Sequence, residues 1–449
     1  MDLPNYFIAD LPADHAITPK LVTDACHTLK RNREQYLLGR STASIVHVLA
    51  ATAHGWTEPV NPFRKLALQR GAQETGFGET TLARGLDLFF QQFTVENLNA
   101  LIAQDLGHAE RLDRFATDRI SPTAALARGP ELLVHIGAGN IPNPTLFSIV
   151  LGFLTRSAQF VKCARGTSLL PRLFAHSIYE VEPKLASCLE IAEWPGGSEQ
   201  LEAALFAEAE CVTATGSDET LDAIRKRLSS HVRFIGYGHR VSFGYIGADA
   251  LSRFEINKTI SAAANDVIAW NQLGCLSPHV FYVEHGAISA EKFAEGLAAA
   301  LANIEAVEPR GTLATEEAAA IKTKRDVYEI RAASSDDTKV WKSEGSTAWT
   351  VVYEADPEFR ISCLNRFVYV KPVADLNDAL RGAHCVQGRV STVALATNND
   401  DSQRHATQLA RWGVTRICRL GQMQNPPLTW RHDGRPAIGD LVTWTDWEQ

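Results

Sequence analysis

The chain has 449 residues, of which 45% are hydrophobic and 21% charged; that is too long for one ordinary core, suits two or three domains and excludes wholesale disorder. With 44 Lys and Arg against 52 Asp and Glu, the formal charge is −8. This argues against a dedicated nucleic-acid binder, whose phosphate contacts need a basic surface, while leaving room for a local basic pocket.

Residues 20–120 read as helical. Leu37, Leu38, Ser41, Ile45 and Leu49, then Leu82, Leu86, Leu88, Phe89 and Phe93, lie close to helical spacing, with breaks at Pro59–Pro62 and Gly76–Gly78. This stretch carries no chemical motif and is expected to pack on a larger domain. From Gly129-Pro130 the texture changes. Strands are expected at Leu132–Ile136, Phe160–Lys162, Leu189–Ala192, Cys211–Ala214 and Arg233–Ile235. Helices are expected between them at Thr145–Leu154, Leu169–Val181, Ser198–Glu208 and Asp218–Leu228. Strand and helix alternate with short connections, which specifies a parallel sheet covered by helices, the usual host of dinucleotides.

A second α/β block starts near Gly247. A helix is expected at Ile260–Trp270, a strand at His279–Glu284, and a helix capped by Ser289 with Phe293, Leu297, Leu301 and Ile304 on its apolar face. Ala348–Tyr353, Phe367–Val370 and Thr392–Ala396 read as strands and Asp375–Arg381 as a short helix. The expected division is a helical region over 1–125, a dinucleotide-binding domain over 126–246, a second α/β domain over 247–425, and a polar, Trp-rich tail over 426–449. No apolar run approaches the ~18 residues of a membrane span, and the start, Met-Asp-Leu-Pro-Asn-Tyr, has no basic region leading into an apolar stretch, so a cytoplasmic protein is expected.

The 8 cysteines are scattered, with no C-x-x-C pair and no His at zinc-finger spacing, so no metal site is expected. Most are expected to be small buried apolar residues. Cys275 stands apart. It lies in Asn271-Gln272-Leu273-Gly274-Cys275-Leu276-Ser277-Pro278-His279, a loop with polar neighbours on both sides, where donors can support a thiolate. A nucleophile and an ordinary structural thiol both fit that setting. His279 either orients or deprotonates the thiol, or is a strand-end histidine satisfied by backbone. Gly137-Ala138-Gly139-Asn140-Ile141-Pro142 follows a strand and precedes a helix. It reads either as a tight turn or as the start of a dinucleotide fingerprint whose third glycine is replaced by Pro142. Asn140 offers a side-chain amide to a developing oxyanion.

Gly139-Asn140-Ile141-Pro142, Lys162 at a strand end, Thr215-Gly216-Ser217 at a helix start, Gly238-His239-Arg240, the 271–279 run and the tail Trp430-Arg431-His432-Asp433-Gly434 with Gly439-Asp440-Leu441-Val442 occur in that order. In this combination the chain resembles the LuxC-type acyl-CoA reductases, the fatty-acyl reductase components of bacterial bioluminescence and a branch of the aldehyde dehydrogenase superfamily. The resemblance covers nearly all of the chain from about residue 50. It implies an aldehyde dehydrogenase-like α/β fold and NADPH-dependent reduction of a fatty acyl thioester, carried by CoA or by a protein, to the aldehyde. Cys275 falls at the acylated nucleophile and Asn140 at the oxyanion asparagine. Lys162 falls at the lysine that touches the adenosine ribose. Thr215, Gly216 and Ser217 fall at the pyrophosphate-binding helix start, with Gly137 and Gly139 at the preceding turn. Arg165 lies near where NAD-preferring relatives carry a glutamate, and a cation there attracts the 2′-phosphate of NADP. His239 is a candidate for proton transfer.

Two departures matter. Gly236 stands where hydrolytic aldehyde dehydrogenases keep a glutamate base, which a reductase has no use for. Near Ser362-Cys363-Leu364-Asn365 no glutamate is present to hold the nicotinamide ribose. The helical start and Lys339–Glu354 are expected to support self-association as a homo-oligomer or docking of a partner, and the resemblance implies work beside acyl-transferring and acyl-activating proteins. The rival readings are an aldehyde dehydrogenase that makes acid and an acyl-carrying scaffold without redox chemistry.

Overall fold

The computed structural model describes residues 3–12, 14–117, 123–252 and 254–448, with residues 399 and 400 described as backbone only. Positions 118–122, at the end of the expected helical stretch, lie outside the described residues.

The alternating apolar runs become five parallel strands. Across the sheet they stand in the order Leu189–Glu193, Ala158–Cys163, Leu132–Ile136, Cys211–Thr215, Arg233–Tyr237. The strands lack polar alternation because helices cover both faces; Ala158–Cys163 is buried at every position. The covering helices are Asn143–Leu154, Leu169–Val181, Glu199–Glu208 and Asp218–Arg227. Strand order reverses at Leu132–Ile136, and a crevice for a dinucleotide opens at such a reversal, beyond the carboxyl ends of the strands.

The lead-in folds as the helices Pro19–Tyr36, Thr42–Thr57, Pro62–Thr75, Glu79–Phe90 and Val95–Leu106. It has no separate core. Trp56, Phe90 and Leu98 pack in one cluster with Leu133, Ile149, Phe153 and Phe174 of the five-stranded unit. The Trp56 indole N–H donates to Ser177 Oγ at 2.8 Å, which satisfies its one polar atom in that core.

A second sheet has seven strands, in the order Arg416–Arg419, Val390–Ala396, Val241–Ile246, Pro278–Glu284, Phe367–Val373, Thr350–Glu354, Thr338–Lys342. All neighbours are parallel except the last pair. This corrects the expected boundary after residue 246. Val241–Ile246 is hydrogen-bonded inside the second sheet, between Val390–Ala396 and Pro278–Glu284, so the chain changes sheets at Gly238–Arg240. A strand buried on both faces carries no mark of which sheet receives it. The 426–449 segment is likewise not a free tail. Its Thr443–Trp447 strand pairs antiparallel with Ala124–Arg128, and Arg233 donates to the carbonyls of Leu441 and Val442. Among the described residues no helix is long and apolar enough to cross a membrane.

Candidate active site

Cys275 sits in the turn joining the helix Ile256–Ile268 to the strand Pro278–Glu284. Trp270, Asn271 and Gln272, just before it, have left-handed backbones, with φ of 49°, 50° and 66°. Their side chains hold that shape. Asn271 donates to the Arg310 carbonyl at 2.7 Å and accepts from Arg366 Nε at 3.1 Å; Gln272 donates to the carbonyls of Pro278 and Phe367 at 2.7 and 2.8 Å. Beyond the turn, Ser242 Oγ donates to the Cys275 carbonyl at 2.8 Å and Gln424 donates to Ser277 Oγ at 2.6 Å. The nucleophile candidate is therefore fixed by the seven-stranded unit from one side and by the C-terminal segment from the other.

The thiol is half-buried, on the wall of a cavity of about 990 Å³ including its open mouth. The lining is mainly apolar: Leu88, Phe89 and Phe93 from the lead-in, Phe147 from the first helix of the five-stranded unit, and Leu276 and Leu428 from either side of the cysteine turn. Burial pushes the thiol pKa up to about 12, and the nearby Asp433 carboxylate adds to this; backbone hydrogen bonding and the charges of Arg240 and Arg416 oppose it. Burial thus favours the protonated thiol at rest.

Asn140 comes to the cysteine turn from the other unit. Its side-chain amide donates to the Leu273 carbonyl at 2.7 Å, two residues from Cys275. His279 does not join them. It lies outside the lining of the cysteine cavity, its Nδ1 accepts the Ser362 amide at 3.0 Å, and its ring packs beside Phe359. Burial drives its pKa down to about 4, so it is a neutral packing histidine. His239 also lies outside the cavity. It is exposed in the crossover between the sheets, and its backbone N–H donates to Asp218 at 3.1 Å. In place of these two, the structure puts His432 on the same cavity as Cys275. Its ring stacks on Tyr237 with centroids 4.5 Å apart and planes at 11°. The one sequence sign of it was the order of residues in the tail around Trp430.

The expected cofactor residues gather at the carboxyl ends of the central strands. Register places Ile136 beside Lys162 and Ala214, so Lys162 stands one residue before the level of Gly137 and Thr215 at the same end of the sheet. Gly137 is a fitting choice there, since a Cβ would stand 2.8 Å from Thr145 Oγ1. Gly137 and Thr215 line a cavity with Tyr237 and His432 at the point where strand order reverses. Ser217 caps the helix Asp218–Arg227, accepting from the Thr220 N–H at 3.3 Å, with Gly216 just before it. A helix start of this kind presents N–H groups to an anion. Gly139 lines a neighbouring crevice with Asn140 and Thr167. Lys162 is buried, and burial lowers its pKa. Arg165 is exposed in the turn between its strand and the next helix; Glu193 ties that turn by accepting from the amides of Gly166 and Ser168. The donor set, a buried lysine, an exposed arginine and a capped helix start around a strand-order reversal, fits a phosphate-bearing dinucleotide. Among the described residues no cluster of three or more His, Cys, Asp or Glu is placed to hold a metal.

Comparison with known proteins gives the family and the fold. A family model described as acyl-CoA reductase (LuxC) matches residues 38–444. Long-chain acyl-protein thioester reductase of Aliivibrio fischeri is 24% identical over 358 residues, 78% of this chain and 70% of its own. Long-chain acyl-protein thioester reductase 2 of Photobacterium leiognathi is 22% identical over the same shares. Among solved structures, an NAD-dependent benzaldehyde dehydrogenase from Corynebacterium glutamicum superposes with a TM-score of 0.71 at 14% identity, over 96% of this chain and 91% of its own. Bifunctional proline utilization A gives 0.73 at 16% identity, although this chain spans only 46% of its length. These likenesses establish an aldehyde dehydrogenase-like fold.

Proposed function

The chain belongs to the acyl-CoA reductase (LuxC) family, and from that premise we propose that it reduces a long-chain acyl thioester to the aldehyde through an acyl-Cys275 intermediate. The observation that carries this reading is the single cavity that holds both a half-buried cysteine and a wall of Leu88, Phe89, Phe93 and Phe147. An alkyl chain leaves water there beside the sulfur that must be acylated, and each buried methylene contributes about 0.8 kcal/mol. Cys275 Sγ attacks the thioester carbonyl, the donor thiol departs, and the acyl group stays on the sulfur. Asn140 is the side-chain donor for the oxyanion, a contribution of about 3 kcal/mol in comparable sites; to make it, its amide exchanges the Leu273 carbonyl for the substrate oxygen.

The fold and the family imply a nicotinamide cofactor, which supplies hydride to the acyl carbon when bound. Lys162, Thr215, Gly216 and Ser217 are the residues that would hold it. NADPH is the form we infer, because Arg165 is exposed in the turn that follows Lys162 while the Glu193 carboxylate is engaged by two backbone amides. The acyl donor is a CoA or protein thioester. Reduction rather than hydrolysis is supported at Gly236, which offers no carboxylate to activate water and where even a Cβ would crowd the Phe234 ring at 3.0 Å and Leu221 at 3.1 Å.

The test is intact-mass spectrometry with tetradecanoyl-CoA, before and after NADPH. An acyl adduct that disappears with aldehyde release is expected, and both signals should vanish in Cys275→Ala. Aldehyde formation by Cys275→Ala would refute the reading. An adduct that survives NADPH would mark an acyl carrier instead.

A further inference from the structure

The acylation step leaves a proton unaccounted for. Cys275 rests as a thiol, and its sulfur must shed that proton as it attacks. The residues first suspected of this work, His279 and His239, lie outside the cysteine cavity. Among the described residues lining that cavity, only Arg84, Cys275 and His432 carry titratable side chains. Arg84 is ion-paired to Glu308 at 2.9 Å and does not act as a base. His432 alone remains.

We propose that His432 is the proton carrier of the acyl transfer, taking the proton from Cys275 Sγ and returning it to the departing thiol. The inference rests on the acyl-Cys275 reading above. In the first step the S–H bond breaks, the proton passes to the imidazole, and the sulfur forms the new C–S bond. The donor's C–S bond then breaks, and the departing sulfur takes the proton from the imidazolium. The balance is acyl–S–donor plus Cys–SH giving acyl–S–Cys plus donor–SH. Once the acyl group has been reduced, the acyl–sulfur bond breaks, aldehyde leaves as its carbonyl re-forms, and the imidazole, having taken a proton from solvent, passes it to the freed sulfur.

The surroundings suit a carrier. Tyr237 stacks flat against one side of the ring, and Trp430 leans on it with centroids 4.7 Å apart, so the plane is held. Asp433 Oδ1 lies 4.0 Å from His432 Nε2, near enough to stabilise an imidazolium while it lasts. Arg240 and Arg435 oppose it, Tyr237 is neutral, and Asp433 is itself engaged by Arg240 at 3.2 Å. Burial outweighs the carboxylate and lowers the ring's pKa, so the resting base is free to accept.

The experiment is single-turnover acylation by tetradecanoyl-CoA without NADPH, followed by intact mass from pH 5 to 9, with melting temperatures in parallel. Wild type should acylate faster as pH rises through a titration below pH 6.5 and then level off. His432→Gln and His432→Ala should acylate at least about a hundredfold more slowly. They should reach the same final adduct, lose that titration, and speed up only as the thiol itself ionises. Added imidazole should accelerate His432→Ala but not His432→Gln. The proposal is overturned if His432→Gln stays within threefold of wild type with the same pH profile. It is also overturned if a slowed His432→Ala keeps the wild-type profile and ignores imidazole. Absence of any Cys275 adduct in wild type would instead refute the acyl-enzyme reading, which keeps the two failures apart.

Discussion

Gly85 offers a sharp probe of how tightly the proposed nucleophile is held. It lies on the inner face of the helix Glu79–Phe90, and a Cβ built there falls 2.2 Å from Trp270 Cζ2 and 2.6 Å from both Cε2 and Cη2. Carbon atoms in ordinary contact sit about 3.5–4.0 Å apart, so Gly85→Ala demands a displacement of more than about 1 Å. The indole has little slack: Trp270 is 3% exposed, its ring meets Phe77 edge-on at 5.2 Å, and its backbone is left-handed. The helix is equally fixed through Leu82, Leu86 and Phe90. Overpacking of this kind costs about 1–3 kcal/mol. Part of the movement must pass along the turn to Cys275, five residues on, and a misplacement near 1 Å costs about a hundredfold in rate. Gly85→Ala should therefore melt lower and form aldehyde from tetradecanoyl-CoA with kcat reduced by one to two orders of magnitude. Trp270→Phe removes the three crowded atoms, so the double variant should recover much of the loss, and the cycle of four proteins measures the coupling. A Gly85→Ala enzyme with wild-type melting and kcat within twofold would refute the reasoning.

Three further outcomes are expected. With iodoacetamide at pH 7–8 and no substrate, the exposed Cys385 should be alkylated well before Cys275, whose rate should still be climbing above pH 9; peptide mapping reads both. Arg165→Glu should raise KM for NADPH at least tenfold while leaving KM for NADH within about threefold, which ordinary steady-state kinetics will show. Asp10→Ala strips the partner from Arg172 and His176, bonded to it at 3.0 and 2.9 Å, and should cost about 3 kcal/mol in urea unfolding near pH 7. Burial pushes the Asp10 carboxyl up, but the His176 and Arg172 bonds and charges and the Phe7 amide outweigh it and hold the pKa below its usual 3.8. That stability is present above pH 3.8 and is lost as pH falls through the lowered value, so the gap between wild type and variant should close only in stronger acid.

The parallel sheet was legible because each of its strands is a short apolar run bounded by turn residues, and each connection is one helix long. Leu132–Ile136 and Leu169–Val181 fall where the sequence pattern puts them. Thr315–Ser334 and Asn399–Trp412 escaped notice for the opposite reason. Their buried faces are narrow, with Ile321, Arg325 and Tyr328 the buried side chains of the first, so charge along the chain hides the helical period. The site divides the same way. Cys275 and Asn140 were visible as residue types in unusual settings. The acyl wall was not, since Leu88, Phe89 and Phe93 show the same periodicity whether they face a core or a cavity. His432 was hidden among the polar and aromatic residues of the tail, because no local spacing relates position 432 to position 275.

What local spacing cannot encode, two left-handed triplets encode together. Trp270–Gln272 and Leu364–Arg366 each place three non-glycine residues at positive φ, a conformation that costs roughly 1–2 kcal/mol per residue when isolated. Neither segment would hold that shape alone, and each is held by the other. Arg366 reaches from one triplet to Asn271 of the other at 3.1 Å, and Gln272 returns a bond of 2.8 Å to the Phe367 carbonyl. Arg366 is fully buried, which lowers its pKa to about 10, and it keeps its charge through Glu305 at 2.8 Å and the Glu308 carbonyl at 2.9 Å. Glu308 in turn binds Thr81 and Arg84 on the helix that walls the acyl cavity. The cysteine turn, the strand-end turn at 364–366 and the lead-in helix are thus fixed to one another through buried charge. A helix that carries no chemical group of its own sets the distance between the acyl wall and the sulfur. Glu308→Ala, which lies outside the cavity lining but breaks the contacts to Thr81 and Arg84, should therefore change kcat as well as KM in steady-state kinetics.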